Sequence, residues 1–191
     1  MGTDRLTWFN ELSAGAAQQA LLDCCNAPGW AAQIAAARPF ASAKDAIRWS
    51  SAIVGALTVS DLADALAGHP RIGERPGTSD GTPSVAPYYR AGDSHEASIR
   101  DRAVGWSAQE QSGVDAKDAT TRQALADANQ LYEQRFGHIY LVCATGRTGA
   151  ELLDVLHNRL QNEPEDEWQV VRAELQKINA LRLQQILAES P

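Results

Sequence analysis

With 191 residues, 44% of them hydrophobic, the chain suits one domain spanning 1–191 that buries about two-thirds of its unfolded surface. A net charge of -7 and a pI near 5.0 exclude the basic face that a nucleic-acid partner requires. No run approaches the roughly 18 apolar residues of a membrane span, so a soluble protein is expected, and an anionic small substrate would have to be met by a local positive site.

In chain order, Met1 to Leu12 reads as a lead-in that docks through Leu6, Trp8, Phe9 and Leu12. Ser13 caps a helix from Ala14 to Cys25, and Pro28-Gly29 breaks it. Trp30 to Ala37 makes a short helix stopped by Pro39. Ser42, with Asp45 three residues on, opens a helix over Ile47, Ser51, Val54 and Leu57. Thr58 or Ser60 caps the next, which carries Leu62, Ala63 and Leu66 into Gly68. Residues 74–105 are rich in Gly and Pro and lack apolar periodicity, which predicts a long loop. Helix returns from Ala116 to Arg135, with Ala119, Leu125, Ala128, Leu131 and Tyr132 as its apolar positions, and Gly137 closes it. Thr148 opens a helix over Leu152, Leu153, Leu156 and Leu160. Pro164, followed by three acidic residues, starts the last helix as the macrodipole favours, with Trp168, Val171, Leu175, Ile178, Leu181 and Ile186 as its stripe. The fold predicted is an all-α irregular bundle of about seven or eight helices with one short extended segment.

That segment is His138-Ile139-Tyr140-Leu141-Val142-Cys143-Ala144, an apolar run too short for a long helix and bounded by Gly137 and Gly146. A lone extended segment among helices leaves its N–H and C=O groups without a sheet. Side chains, water, a second subunit or a bound heterocycle can each supply partners.

Two stretches carry candidate chemistry. In Gly68-His69-Pro70-Arg71-Ile72-Gly73, Pro70 forbids His69 from continuing the helix, which sets an imidazole at a fixed helix end. Imidazole is the commonest general acid/base, although a helix-terminal His can equally serve only the local dipole. In Trp106-Ser107-Ala108-Gln109-Glu110-Gln111, Ser107 and Glu110 have capping-box spacing, so this stretch can be a helix start and nothing more. Arg182 lies on or beside the apolar stripe of the last helix and needs an acceptor, either a protein carboxylate or a ligand's. Arg71 reads as solvated or paired with an acid such as Glu74, and Arg147 as part of an exposed turn. Neither a dinucleotide glycine pattern nor a phosphate loop is visible. His69, His95, His138 and His157 lack metal-ligand spacing. Cys24, Cys25 and Cys143 do not form a disulfide framework. With neither a signal peptide nor a peroxisomal address in view, a reducing cytoplasm is expected.

Taken in order, Gly-His-Pro-Arg-Ile-Gly, then Trp-Ser-x-x-Glu-Gln-x-Gly-Val, then Phe136-Gly-His-Ile-Tyr-Leu-Val-Cys-Ala144 resembles the decarboxylases of 2-oxo-4-hydroxy-4-carboxy-5-ureidoimidazoline (OHCU), which follow urate oxidation on the route to (S)-allantoin. The resemblance runs from Phe9-Asn-Glu-Leu to Ile178-Asn-Ala-Leu-Arg-Leu183. Many members have a much shorter connection between the His-Pro and Ser-x-x-Glu motifs, and His138 stands where they often carry an apolar or aromatic residue. The resemblance implies a cofactor-independent carboxy-lyase of all-α fold, a homodimer acting on a ureidoimidazoline. It implies His69 as acid/base, Glu110 as its orienting partner and Arg182 as the group meeting a carboxylate or carbonyl oxygen. Pro70, Ser107, Ala108, Gln109 and Gln111 are implied to line the pocket, with Gly137, His138, Ile139, Tyr140 and Leu141 binding the heterocycle. The rival readings are a metal-dependent ureide hydrolase of the same pathway and a non-enzymatic helical interaction module.

Overall fold

The computed structural model of the chain describes residues 4–67, 69–73, 105–106, 109–110 and 118–188. Among them lie eight helices and no strand: α1 (Arg5–Glu11), α2 (Ala14–Cys24), α3 (Pro28–Ala36), α4 (Ala43–Ala56), α5 (Val59–Leu66), α6 (Ala119–Phe136), α7 (Gly149–Arg159) and α8 (Pro164–Ala188).

Most helix starts trace to one side chain. Ser13 Oγ accepts from the Ala16 N–H at α2 (3.2 Å), Ser42 Oγ from Asp45 at α4 (3.1 Å), and Asp118 Oδ1 from Thr121 at α6 (3.0 Å). Each satisfies a donor that the first turn leaves without an intrahelical partner. Thr58, not Ser60, caps α5, and Thr148 with Glu151 forms a reciprocal capping box at α7. Hydrogen bonds with Thr58, Thr121 and Thr148 hold the exposed carboxyls of Asp61, Asp118 and Glu151 below their usual range.

Several expectations need correcting. Pro28 does not merely break α2: it occupies the first turn of α3, where its missing N–H has no intrahelical role. The lead-in is a helix, and only Phe9 of its four apolar residues is fully buried, a gain of about 1.5–3 kcal/mol. Polar groups complete the docking. Arg38 Nη1 donates to the carbonyls of Phe9 and Leu12 at 2.7 Å each, and Asn10 makes two 2.9 Å bonds with the main chain of Phe40. The carbonyls ending α1 have no helical donor, so a guanidinium there acts as a cap. On α6, Ala119 is exposed, and Leu131 is 56% exposed. Residues 74–104 of the expected loop, and Ala116, lie outside the described residues, while Gly105 already has helical backbone.

The described residues fall into two compact units. One draws on positions up to 65 and from 175 onward, the other on 66–174. In the first, α2 packs on α3 and α3 on α4, and the buried Trp30 Nε1 donates to Ser50 Oγ at 3.1 Å. In the second, α6 packs on α7 around Leu125, Tyr132, Tyr140, Val142, Leu152 and Leu156.

Helix α8 contributes to both. Its expected stripe is only partly right, because Leu181 is 39% exposed while Trp168 and Ile186 are half-buried. The buried face instead carries Glu167, Glu174, Asn179 and Arg182 beside Val171, Leu175, Ile178, Leu183 and Leu187. Residues three and four apart share a helix face, so the apolar positions alone fit more than one face. No helix among the described residues is long and apolar enough to cross a membrane.

Candidate active site

His69 follows α5 in a bend, half-buried, with its N–H donating to the Leu66 carbonyl at 2.9 Å. Gly68 lies outside the described residues. What fixes the turn is α6. The buried Asn129 Nδ2 donates to the Ile72 carbonyl at 3.0 Å, and Gly73 takes φ +84° with Leu125 nearby, so a side chain there is strained. Arg71 pairs with Glu133 through two bonds of 2.5 and 2.9 Å, and Glu74 lies outside the described residues. That pair is half-exposed and is worth about 1 kcal/mol or less. The buried bond to Ile72 and the glycine are the firmer anchors. Pro70 is exposed.

Glu110 is half-buried and helical, and Gln109 beside it is exposed. Helical backbone is already present at Gly105 and Trp106, ahead of where a Ser107 cap would start it. Ser107, Ala108 and Gln111 lie outside the described residues.

The run 138–144 is extended and largely buried, as its composition predicts, and no strand pairs with it among the described residues. Gly137, at φ 75°, closes α6 in the left-handed conformation and turns the chain into the segment. Side chains satisfy part of its backbone. Arg159 Nη1 donates to the Leu141 carbonyl at 2.6 Å, and the Cys143 N–H donates to Glu174 Oε2 at 2.8 Å. The Tyr140 hydroxyl donates to the Leu152 carbonyl at 3.1 Å. Arg147 follows in a half-buried position, its N–H bonded to the Ala144 carbonyl at 3.0 Å.

Behind the segment sits a buried ion pair that the sequence reading missed. Arg159 is 5% exposed and Glu167 0%. Arg159 Nε donates to Glu167 Oε1 at 2.8 Å, and its Nη2 reaches the same oxygen and the Tyr132 hydroxyl. Tyr132 and Asn162 also donate to Glu167. Burial opposes the charge on Arg159, but the hydrogen bond to Glu167 and the electrostatic effects of Tyr132, Glu167 and Tyr140 together outweigh it and hold the guanidinium more firmly protonated than usual. Burial raises the phenols of Tyr132 and Tyr140, so both remain hydrogen-bond donors. The available signal was an Arg on the apolar side of α7 with an acid eight residues later, at the third position after Pro164.

His138 lies against Trp168, ring centroids 4.2 Å apart, with Tyr132 edge-on at 5.5 Å. Its Nδ1 is 3.0 Å from the Ile139 carbonyl, which can only accept, so Nδ1 carries the proton. Burial lowers its pKa from the ordinary 6.5, opposed by the Ile139 bond and the Glu167 carboxylate, while Arg159 adds to the lowering. A depressed imidazole pKa means that protons prefer the unfolded chain. Stability from this source is therefore full above pH 6.5 and is lost as pH falls through the folded value. Urea unfolding at about pH 7.5 and about pH 5.5 should show a smaller loss for His138→Phe than for the wild type. Equal losses in the two proteins contradict this account.

Arg182, 3% exposed, belongs to the first unit, whereas His69, Glu110 and 137–141 belong to the second. Its Nη1 donates to the main-chain carbonyl of Cys24 at 2.7 Å, a kind of acceptor that the sequence reading omitted. Neighbouring Cys25 has its thiol pushed up to about 11 by burial, against the opposing effects of Asn179 and the Arg182 charge. The three cysteines are not disulfide-bonded. Among the described residues, no three His, Cys, Asp or Glu side chains group as metal ligands would.

Among the described residues, eight helices with a buried extended segment, a His-Pro turn anchored on α6 and a helical Glu110 define an all-α protein. The chain belongs to the OHCU decarboxylase family: the family model of that description matches residues 10–184. It is 28% identical over 166 residues to the uric acid degradation bifunctional protein TTL of Arabidopsis thaliana, across 87% of this chain and 46% of that one. It is 38% identical over 79 residues to the 2-oxo-4-hydroxy-4-carboxy-5-ureidoimidazoline decarboxylase of Amia calva, across 41% of this chain and 45% of that one. Each alignment thus spans just under half of the relative's length. The crystal structure of OHCU decarboxylase in the presence of (S)-allantoin is similar at TM-score 0.69 and 26% identity, covering 90% of this chain and 99% of that one. (S)-Allantoin synthase shares the fold, at TM-score 0.62 and 14% identity over 95% of this chain and 54% of that one.

Proposed function

We propose that this protein decarboxylates OHCU to (S)-allantoin in urate breakdown, acting as a single catalytic domain without a cofactor. The observation that carries the reading is the family match across 10–184, which includes His69, Glu110 and Arg182. The similarity to an OHCU decarboxylase structure determined with (S)-allantoin supports it.

The substrate explains why no helper group is needed. The carbon that bears the leaving carboxylate adjoins a ring C=N. When the C–C bond breaks and carbon dioxide leaves, the electron pair forms a C=C bond to the adjoining carbon of that C=N, whose nitrogen takes up a proton. The hydroxyl then gives up its proton to become a carbonyl, and the proton delivered to the adjoining, ureido-bearing carbon sets the (S) configuration. The protein then has to bind, orient and move protons. His69 is the acid/base, assisting at the substrate hydroxyl or returning the proton. Glu110 orients the imidazole and accepts from ring or ureido N–H groups. Arg182 meets the carboxylate or a carbonyl oxygen and keeps the ligand in register. Pro70, Ser107, Ala108, Gln109 and Gln111 line the pocket, and the main chain of 137–141 reads the heterocycle. A cytoplasmic location and a homodimer are the accompanying assignments, and a monomeric mass by sedimentation would contradict the dimer.

The chemical test is stereochemical. Urate is fed to urate oxidase and hydroxyisourate hydrolase, this protein is added, and circular dichroism follows allantoin. Optically active allantoin should form faster than the spontaneous racemic background, at a rate unaffected by a chelator. Allantoin that stays racemic sinks the assignment, and activity lost to chelation and restored by metal sinks the cofactor-independent mechanism.

A further inference from the structure

We propose that Arg159 and Glu174 are positioning residues for substrate binding, acting through the main chain of the 138–144 segment. The inference rests on the functional reading above, in which that segment's backbone reads the heterocycle. In a sheet, neighbouring strands fix a strand's register through its N–H and C=O groups. Here no strand does so among the described residues, and two charged side chains from helices take that part. Arg159 of α7 holds the Leu141 carbonyl at 2.6 Å, and Glu174 of α8 holds the Cys143 N–H at 2.8 Å. The two posts therefore hold the segment at positions two residues apart, one through a C=O and the other through an N–H.

The posts are themselves braced. Arg159 is oriented by Glu167 and the Tyr132 hydroxyl and lies over the Tyr140 ring at 4.8 Å. Tyr140 is tied to α7 through the Leu152 carbonyl. A guanidinium with three separate acceptor directions suits this junction, and an ammonium cannot reproduce its fork. An Arg159→Lys protein keeps the charge beside Glu167 while loosening the hold on Leu141. If the segment binds ground state and transition state alike, the effect falls on KM.

The experiment compares Arg159→Lys, Glu174→Ala and Glu174→Gln with the wild type by steady-state decarboxylation and by hydrogen exchange of peptides covering 138–144. Arg159→Lys and Glu174→Ala should raise KM about tenfold with kcat within about threefold, and segment amides should exchange about tenfold faster while other peptides are unchanged. Glu174→Gln, whose amide oxygen can still accept from the Cys143 N–H, should restore near-wild-type KM. A folded Glu174→Ala protein with wild-type KM and exchange overturns the proposal, as does a loss matched equally by Glu174→Gln. If Arg159→Lys does not fold, the two Glu174 variants decide. A wild type that makes no excess of (S)-allantoin defeats the functional reading instead. The exchange data then say whether the posts hold the segment: faster exchange in Glu174→Ala upholds their grip, and unchanged exchange overturns it.

Discussion

His69→Ala should lose about 10²-fold or more of the (S)-allantoin-forming rate while remaining folded, the usual loss when a positioned acid/base is removed. The structural reason to expect a folded protein is local. The turn is held by the Asn129 bond to the Ile72 carbonyl, by Gly73 at positive φ and by the Arg71–Glu133 pair. None of these needs the imidazole. Glu110→Ala should fall by a comparable factor if the carboxylate orients His69, and the double variant should be little slower than either single one, because residues acting as a unit are not additive. The rate is read by circular dichroism of the allantoin formed, with unfolding curves as the control for structure. Turnover near the wild-type rate in His69→Ala removes that residue from the mechanism. Losses that multiply in the double variant separate the two residues.

Glu167→Ala should be the more damaging change to stability. Its carboxylate is fully buried and accepts from Arg159, Tyr132 and Asn162. Removing one partner of a buried pair strands the other charge, which typically costs about 3–5 kcal/mol, a large part of the roughly 5–15 kcal/mol that holds a domain folded. For a chain of this size the midpoint should fall by roughly 6–20 °C. Glu167→Gln, which keeps an acceptor oxygen for Arg159 and Tyr132, should lose less. Thermal and urea unfolding of the three proteins measures this, and a Glu167→Ala protein within about 1 kcal/mol of the wild type would show that the pair carries no such weight.

The comparison of sequence and structure separates two kinds of information. Local chemistry is legible residue by residue. Ser13, Ser42, Thr58 and Thr148 start their helices, Gly137 ends one in the left-handed conformation, and Pro164 begins another. Each depends on a neighbour within about four positions, and such contacts are written in the spacing. The extended character of 138–144 was legible for the same reason, from a short apolar run between two glycines. Composition and charge excluded a basic nucleic-acid face and a long apolar span. The ordered motifs pointed to the family.

What the spacing left open is which residues partner one another across the fold. Arg182 donates to the Cys24 carbonyl and Arg71 to Glu133, 158 and 62 positions away, and neither partner is marked by spacing along the chain. Leu181 and Leu131 were placed on apolar stripes and are exposed, while Glu167, Glu174 and Asn179 are buried. A charged group enters the interior only when its hydrogen-bonding needs are met there. Those partners come from other helices, so helical periodicity carries no record of them. Sequence alone therefore determined the capped helix starts, the glycine that ends α6 and which residue types are available for proton chemistry. Tertiary packing alone decided that Arg159 meets the Leu141 carbonyl and Glu174 the Cys143 N–H, because both side chains come from helices distant in the chain.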